Sequence, residues 1–226
     1  MKLRLRTTLA RAVDPLNTAT EHRLIEAAGE VFADQGFRAA TIRDICKKAR
    51  ANIAAVNYHF GDKERLYAAV LRYASQCAAQ QYPVAVGSHE QPPQERLRNY
   101  IHSLMRRMLD KGRPAWHGKL MTREMAEPTT ALDSLVQETI RPQFDMLNAI
   151  VREIVGPTYD ETTIRYLAAS VIGQCTYYRH AQSVVIRLNP GQQFEPADVE
   201  RLADHITEFS LAAMRSFPPP VTPPTP

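Results

Sequence analysis

Apolar residues recur along this chain at three- and four-residue intervals, in stretches separated by short breaks rich in Gly, Pro and Asn. That spacing is helical, because residues on a 3.6-residue turn line up along one face and bury it together. The first stretch opens at Thr18, where Thr18-Ala19-Thr20-Glu21 fits a capping box, and carries Leu24, Ile25, Ala28, Val31 and Phe32 to a stop at Gly36. A second begins at Thr41, with Asp44 three residues on, and turns Ile42, Ile45, Cys46 and Ala49 inward. Asn52 caps a third, short helix that buries Val56 and Phe60, and Asp62 caps a fourth with Leu66, Val70 and Tyr73 that continues to about residue 81.

A loop with three prolines over 82–94 is the boundary candidate. Helices are then expected over 94–110 (Leu97, Ile101, Leu104, Met105 and Met108 inward), 116–126 and 129–155, with Pro142 kinking or splitting the last. A long helix over 160–187 presents Ile164, Leu167, Ala168, Val171, Ile172, Cys175 and Tyr178 on one face. After Asn189-Pro190-Gly191, a final helix over 196–217 buries Val199, Leu202, Ala203, Ile206, Phe209 and Ala213. No strand pattern or internal repeat stands out. The predicted fold is all-α: a helix-turn-helix domain over 18–66 and a helical effector-binding and dimerisation bundle over 82–217. Residues 1–17, with Lys2, Arg4, Arg6 and Arg11 against Asp14, read as a flexible basic arm, and 218–226, with six prolines, as a disordered tail.

Composition sharpens this only in places. The net charge of +4 is too small to establish nucleic-acid binding, so the distribution must carry that argument. Three widely spaced cysteines, Cys46, Cys77 and Cys175, and no visible signal peptide point to a reducing cytoplasm and buried thiols rather than a disulfide scaffold. No apolar run approaches the roughly 18 residues that span a bilayer. Walker loop, His-Glu-x-x-His and Cys-x-x-Cys patterns are all missing, so neither an enzyme nor a cofactor or metal site is expected.

The second and third helices, joined through Arg50-Ala51-Asn52, have the layout of a DNA-reading helix-turn-helix. Val56 and Phe60 point inward, which leaves Ile53, Ala54, Ala55, Asn57, Tyr58 and His59 around the outer side. Ala54 and Ala55 permit close approach, while Asn57 and His59 can bond base edges or phosphates. Arg43, Lys47, Lys48 and Arg50 against Asp44 give residues 43–50 a net +3, and Lys63 could add a phosphate contact.

The runs Leu24 to Phe37, Ala40 to Ile45 and Asn52 to Leu66 resemble the TetR-family DNA-binding domain across nearly its whole length. The resemblance implies that Thr41, Tyr58 and Lys63 hold phosphates and that Ile53 to Asn57 and His59 lie on the recognition helix. One departure is Arg50-Ala51, where the family favours Gly and a bulky aliphatic; Arg at a positive-φ position costs about 1 kcal/mol relative to Gly. Arg123 to Val136, Ile140 to Phe144 and Val171 to His180 resemble the CerR/CecR (YbiH-like) subgroup. That implies a homodimer built on helices 160–187 and 196–217, with Ala169, Gly173 and Ala212 allowing close approach. It also implies a double-stranded DNA operator and a small-molecule effector.

Candidates for the effector pocket are Tyr100, Met105, Trp116, His117, Met121, Met125, Phe144, Tyr177, Tyr178 and Arg179, although aromatic and Met residues at helical spacing more often serve as core, and Trp116-His117 after a Gly/Pro break is the pair that best fits a cavity rim. Arg123 and Arg179 could neutralise an anionic ligand or pair with Glu124, Glu127 or Asp133. The expected function is a ligand-responsive repressor. The alternative is a protein-interaction adaptor with a degenerate helix-turn-helix.

Overall fold

The structure is a computed structural model and describes residues 15–84 and 91–217. The basic arm up to residue 14, the middle of the 82–94 loop and the Pro-rich tail lie outside the described residues. The regular elements are helices throughout: α1 (Pro15–Ala39), α2 (Ile42–Ala49), α3 (Ile53–His59), α4 (Lys63–Gln81), α5 (Pro93–Leu109), α6 (Ala115–Ala126), α7 (Ala131–Leu135), α8 (Arg141–Val155), α9 (Glu161–His180), α10 (Gln182–Leu188) and α11 (Pro196–Ser216). A π-helical turn over Val136–Ile140 joins α7 to α8. The chain divides into two compact units, Met1–Val70 and Leu71–Pro226, with the division inside α4.

In the first unit, α1 begins at Pro15 rather than at Thr18. Proline suits a first helical turn, where its missing N–H has no partner to lose and its φ is already helical. Thr18 therefore lies inside the helix and does not cap it. Gly36 breaks the helical path at φ 84° and ψ 164°, and a short continuation ends at Ala39. The caps of the next helices follow the sequence closely. Thr41 Oγ1 accepts from the Asp44 N–H at 3.1 Å, Asn52 Oδ1 from the Ala54 N–H at 2.8 Å, and Asp62 Oδ1 from the Arg65 N–H at 2.8 Å. Each cap satisfies an N–H that the helix itself leaves without an acceptor, an effect of about 1 kcal/mol. Leu24, Phe32, Ile45, Val56, Leu66 and Tyr67 fill the core, with the Phe32 and Tyr67 rings edge to face at 4.9 Å.

In the second unit α5 is central, packing on α8, α9 and α11. Leu97, Ile101 and Met105 meet Leu147, Val151, Ala168, Val171 and Ala203 in one continuous core. Pro142 has the predicted effect: the helix widens into the π turn and restarts at Arg141 with Pro142 in its first turn. Two expectations fail. The 160–187 helix is really two, because Ala181 (φ −93°, ψ 12°) ends α9; the change of direction seats Val185 in the core and leaves Val184 and Leu188 outside. On α11, Phe209 and Ala213 face outward, Phe209 being 58% exposed. Thr207 and Ser210 take the inner line instead. Thr207 can do so because its hydroxyl bonds the Ala203 carbonyl of its own helix at 2.7 Å.

Candidate nucleic-acid interface and effector region

The turn between α2 and α3 is closed by backbone geometry that the side chains only partly favour. Arg50 sits in the left-handed region at φ 50° and ψ 46°. Its N–H reaches the Lys47 carbonyl at 3.4 Å and the next N–H, from Ala51, reaches the Cys46 carbonyl at 3.0 Å. These are the two bonds of a Schellman stop, which normally recruits Gly. The strain expected of Arg50 is therefore present, and the residue is exposed.

α3 is anchored on one side and open on the other. Val56 is 0% exposed, while Ile53 is 48% and Tyr58 67% exposed. Ala54 and Asn57 also face outward, and Ala55 lies half-buried. Thr41, at the cap of α2, is exposed, and its hydroxyl donates to Asp44 Oδ2 at 2.6 Å. Arg43 is exposed.

Three expected contact residues are placed differently. His59 turns its ring inward, 6% exposed and 4.0 Å from Glu21 on α1, because the last turn of α3 closes over the α1 surface. It does not share the outer side with Asn57 and Tyr58. Lys48 is ion-paired with Glu30 of α1, which offsets its charge in the isolated chain. Lys63 donates to the Arg38 carbonyl at 3.3 Å and lies 4.8 Å over the Phe37 ring, so it ties the start of α4 to the chain leaving α1.

The effector candidates scatter by burial. Tyr100, Met105, Trp116 and His117 are buried; Met121, Phe144, Tyr178 and Arg179 are half-buried; Met125 and Tyr177 are exposed. Trp116 and His117 meet edge to face at 4.1 Å, and Tyr73 stacks on Trp116 at 6.4 Å. Burial pushes the Tyr100 hydroxyl up to about 12, outweighing the opposing charge of Arg107, so it is a neutral donor at physiological pH. Burial likewise pushes the Cys175 thiol up to about 12, consistent with an inert core thiol. Glu124 is fully buried, and its Oε1 accepts from the Thr129 N–H at 2.9 Å and hydroxyl at 3.0 Å, which organises the chain leading into α7.

The sequence reading missed two arginines, Arg107 and Arg113. Arg107 is held by Gln143 at 2.9 Å, and Arg113 donates to the Arg107 carbonyl. Position 107 falls seven residues, two helical turns, after Tyr100, and so shares its inward face. That spacing was a usable signal. Among the described residues there is no cluster of three potential metal ligands, and no helix long and apolar enough to cross a membrane.

Residues 24–70 match the family model described as bacterial regulatory proteins, tetR family, and residues 93–214 match that of the HTH-type transcriptional dual regulator CecR, C-terminal domain. CecR of Shigella flexneri is 25% identical over 194 residues, covering 82% of this chain and 86% of that protein. The repressor AcnR of Corynebacterium efficiens is 34% identical over 65 residues, covering 29% of this chain and 34% of its own. Among solved structures, a TetR-like transcriptional regulator from Rhodococcus sp. RHA1 superposes with a TM-score of 0.60 at 18% identity, covering 85% of this chain and 96% of that one. PfmR, a TetR-family regulator from Thermus thermophilus, gives 0.60 at 18% identity, with 84% and 94% covered.

Proposed function

The chain belongs to the TetR-type bacterial regulators that carry the CecR C-terminal domain, and from that premise we propose that it is a dimeric, effector-released regulator of transcription that reads a near-palindromic operator through α3. One observation carries the reading. α3 is a short helix pinned by Val56, with Ile53, Ala54, Asn57 and Tyr58 turned outward and the exposed Arg43 and Arg50 on the neighbouring α2 and its stop. A helix so held can enter the major groove while the flanking cations and hydroxyls take phosphates. Repression follows wherever the occupied operator overlaps a promoter.

The dimer is assigned to α9 and α11. Tyr166, Ala169, Gly173 and Tyr177 on α9, with Phe209 and Ala212 on α11, form an outward apolar and small-residue surface. An added side chain at Gly173 would meet nothing within 4 Å in the isolated chain, so a partner helix has room to approach there. Two α3 helices about 34 Å apart would then face successive major grooves. An effector releases the operator only if it binds more tightly to the state whose helices are wrongly spaced, and by linkage DNA then weakens effector binding by the same factor.

The test is fluorescence anisotropy of the full chain on its own upstream intergenic DNA, titrated with salt and scrambled competitor. Tyr58→Ala and Arg43→Ala should each weaken binding by about 1–3 kcal/mol, and loss of the Arg43 phosphate contact should shallow the salt slope by roughly one. Phe209→Glu should give monomers in sedimentation. Binding that is equal on scrambled DNA, here and across a genomic selection, would instead favour the adaptor.

A further inference from the structure

Three half-buried arginines of the second unit lie near one another: Arg107 on α5, Arg113 in the α5–α6 connection, which donates to the Arg107 carbonyl, and Arg179 near the end of α9. Arg107 uses Nη1 on Gln143 Oε1, while its Nη2 is buried without a hydrogen-bond acceptor among the described residues. Arg113 Nε is also buried without one: Asp110 Oδ2 lies 3.5 Å away, outside hydrogen-bond geometry. The other oxygen of Asp110 accepts from the Gly112 N–H at 2.9 Å. Arg179 lies flat against Gly118 of α6, where any Cβ would run into its Nη2. Burial lowers the pKa of both Arg107 and Arg179; Tyr100 acts the other way on Arg107, and the charge of Arg113 lowers both further.

Arg113 thus has one poorly aligned carboxylate, Asp110, and Arg107 and Arg113 each keep a buried N–H group with no acceptor among the described residues. Buried charge of one sign is costly unless a counter-charge completes it, and a protein that needed only packing here would fill the space with apolar side chains. The two unpartnered nitrogens, Arg107 Nη2 and Arg113 Nε, together offer donors to an oxyanion with two oxygens. We propose that Arg107, Arg113 and Arg179 anchor the effector and that the effector is a small organic carboxylate; this rests on the effector-responsive reading above. A carboxylate entering this interior loses its hydration, and an attached apolar body offsets that cost by burying area beside Tyr100, which adjoins Arg107. Gly118 then has a function beyond packing, since its bare backbone leaves Arg179 the room it occupies.

The sequence contains a single tryptophan, Trp116, two residues from Gly118 and buried, so intrinsic fluorescence reports on this region. The full chain is titrated at fixed ionic strength in low-chloride buffer with sodium benzoate, with sodium citrate and with uncharged benzamide. Benzoate or citrate should give a saturable Trp116 signal and raise Tm by about 2–4 °C, while benzamide does neither. Arg179→Gln and Arg113→Gln should weaken the anion response about tenfold or more. Without anion, Arg179→Gln should melt at or above the wild-type temperature, because a like charge has been removed. No saturable response to either anion, an equal response to benzamide, or undiminished responses in both variants would overturn the assignment. So would a fall in the anion-free Tm of both variants, which marks the arginines as structural. Operator binding is measured on the same samples: DNA binding without an anion response defeats this inference alone, whereas loss of sequence-specific DNA binding defeats the function proposed above.

Discussion

The two units handle positive charge in opposite ways. In the first, Arg43, Lys47 and Arg50 stand in solvent around a small, tightly filled core, and the side chains of α3 that matter most are exposed. In the second, Arg107, Arg113 and Arg179 are half-buried, with Arg107 Nη2 and Arg113 Nε turned away from solvent. On the function proposed above, the difference follows from the partners. A phosphate backbone is large and stays hydrated, so it is met at a surface by mobile cations. A small ligand must be enclosed, and enclosure demands that the protein bury its complementary charge in advance. On that reading the first unit needs rigidity beneath an exposed face, and the second needs an interior that a ligand completes.

The largest effect should come from removing the rigidity of the first unit. Phe32→Ala deletes a fully buried ring packed on Tyr67 and should cost about 3–5 kcal/mol in denaturant unfolding, with loss of operator binding although no contact residue has changed. Retained DNA affinity in that variant would show that α3 does not depend on this core. A smaller and oppositely signed effect is expected at the turn. Arg50→Gly relieves a positive φ and should stabilise the chain by about 1 kcal/mol. If Arg50 also meets phosphate, the same variant binds DNA more weakly and with a shallower salt slope. A more stable protein with unchanged DNA binding would make Arg50 a structural concession only.

The smallest effect concerns acid. Arg106 grips Glu200 through two bonds of 2.7 Å, and His102 Nδ1 lies 2.9 Å away, linking α5 to α11. The Arg106 hydrogen bonds, helped by His102, hold the Glu200 carboxyl below its ordinary value of 4.5 despite partial burial. A depressed carboxylate contributes its stability above pH 4.5 and loses it as the pH falls through the lower folded-state value. Thermal melts of the second unit should therefore decline on the acid side, and Glu200→Gln should flatten that decline. An identical acid limb in Glu200→Gln would assign the decline to other groups. Because Glu200 is about a third exposed, solvent screens the pair and the effect is small.

Much of this was legible from local chemistry. Thr41, Asn52 and Asp62 announced the starts of α2, α3 and α4, since an N-cap is a contact between near neighbours in sequence. Arg50 stands where the resembled family favours Gly, and its left-handed backbone shows the strain expected there. Pro142 announced the π turn. What stayed hidden depended on distant partners. His59 reads as an outward residue until Glu21 and the α1 surface are in place. Lys48 reads as a free cation of the helix-turn-helix until Glu30 is found across the α1–α2 contact. Arg106 and Arg107 are adjacent basic residues in the sequence, yet one reaches Glu200 at the surface and the other enters the core.

The sequence by itself determined the helical class, most helix starts and the buried side of α3 at Val56, because periodicity, caps and turn residues act over fewer than about five positions. Tertiary structure alone decided which polar residues are spent on the protein and which remain for a partner. Whether a charge lies in water, in an ion pair or unsatisfied in an interior is set by residues tens of positions away, and the free energy of that charge depends far more on those surroundings than on its own chemistry.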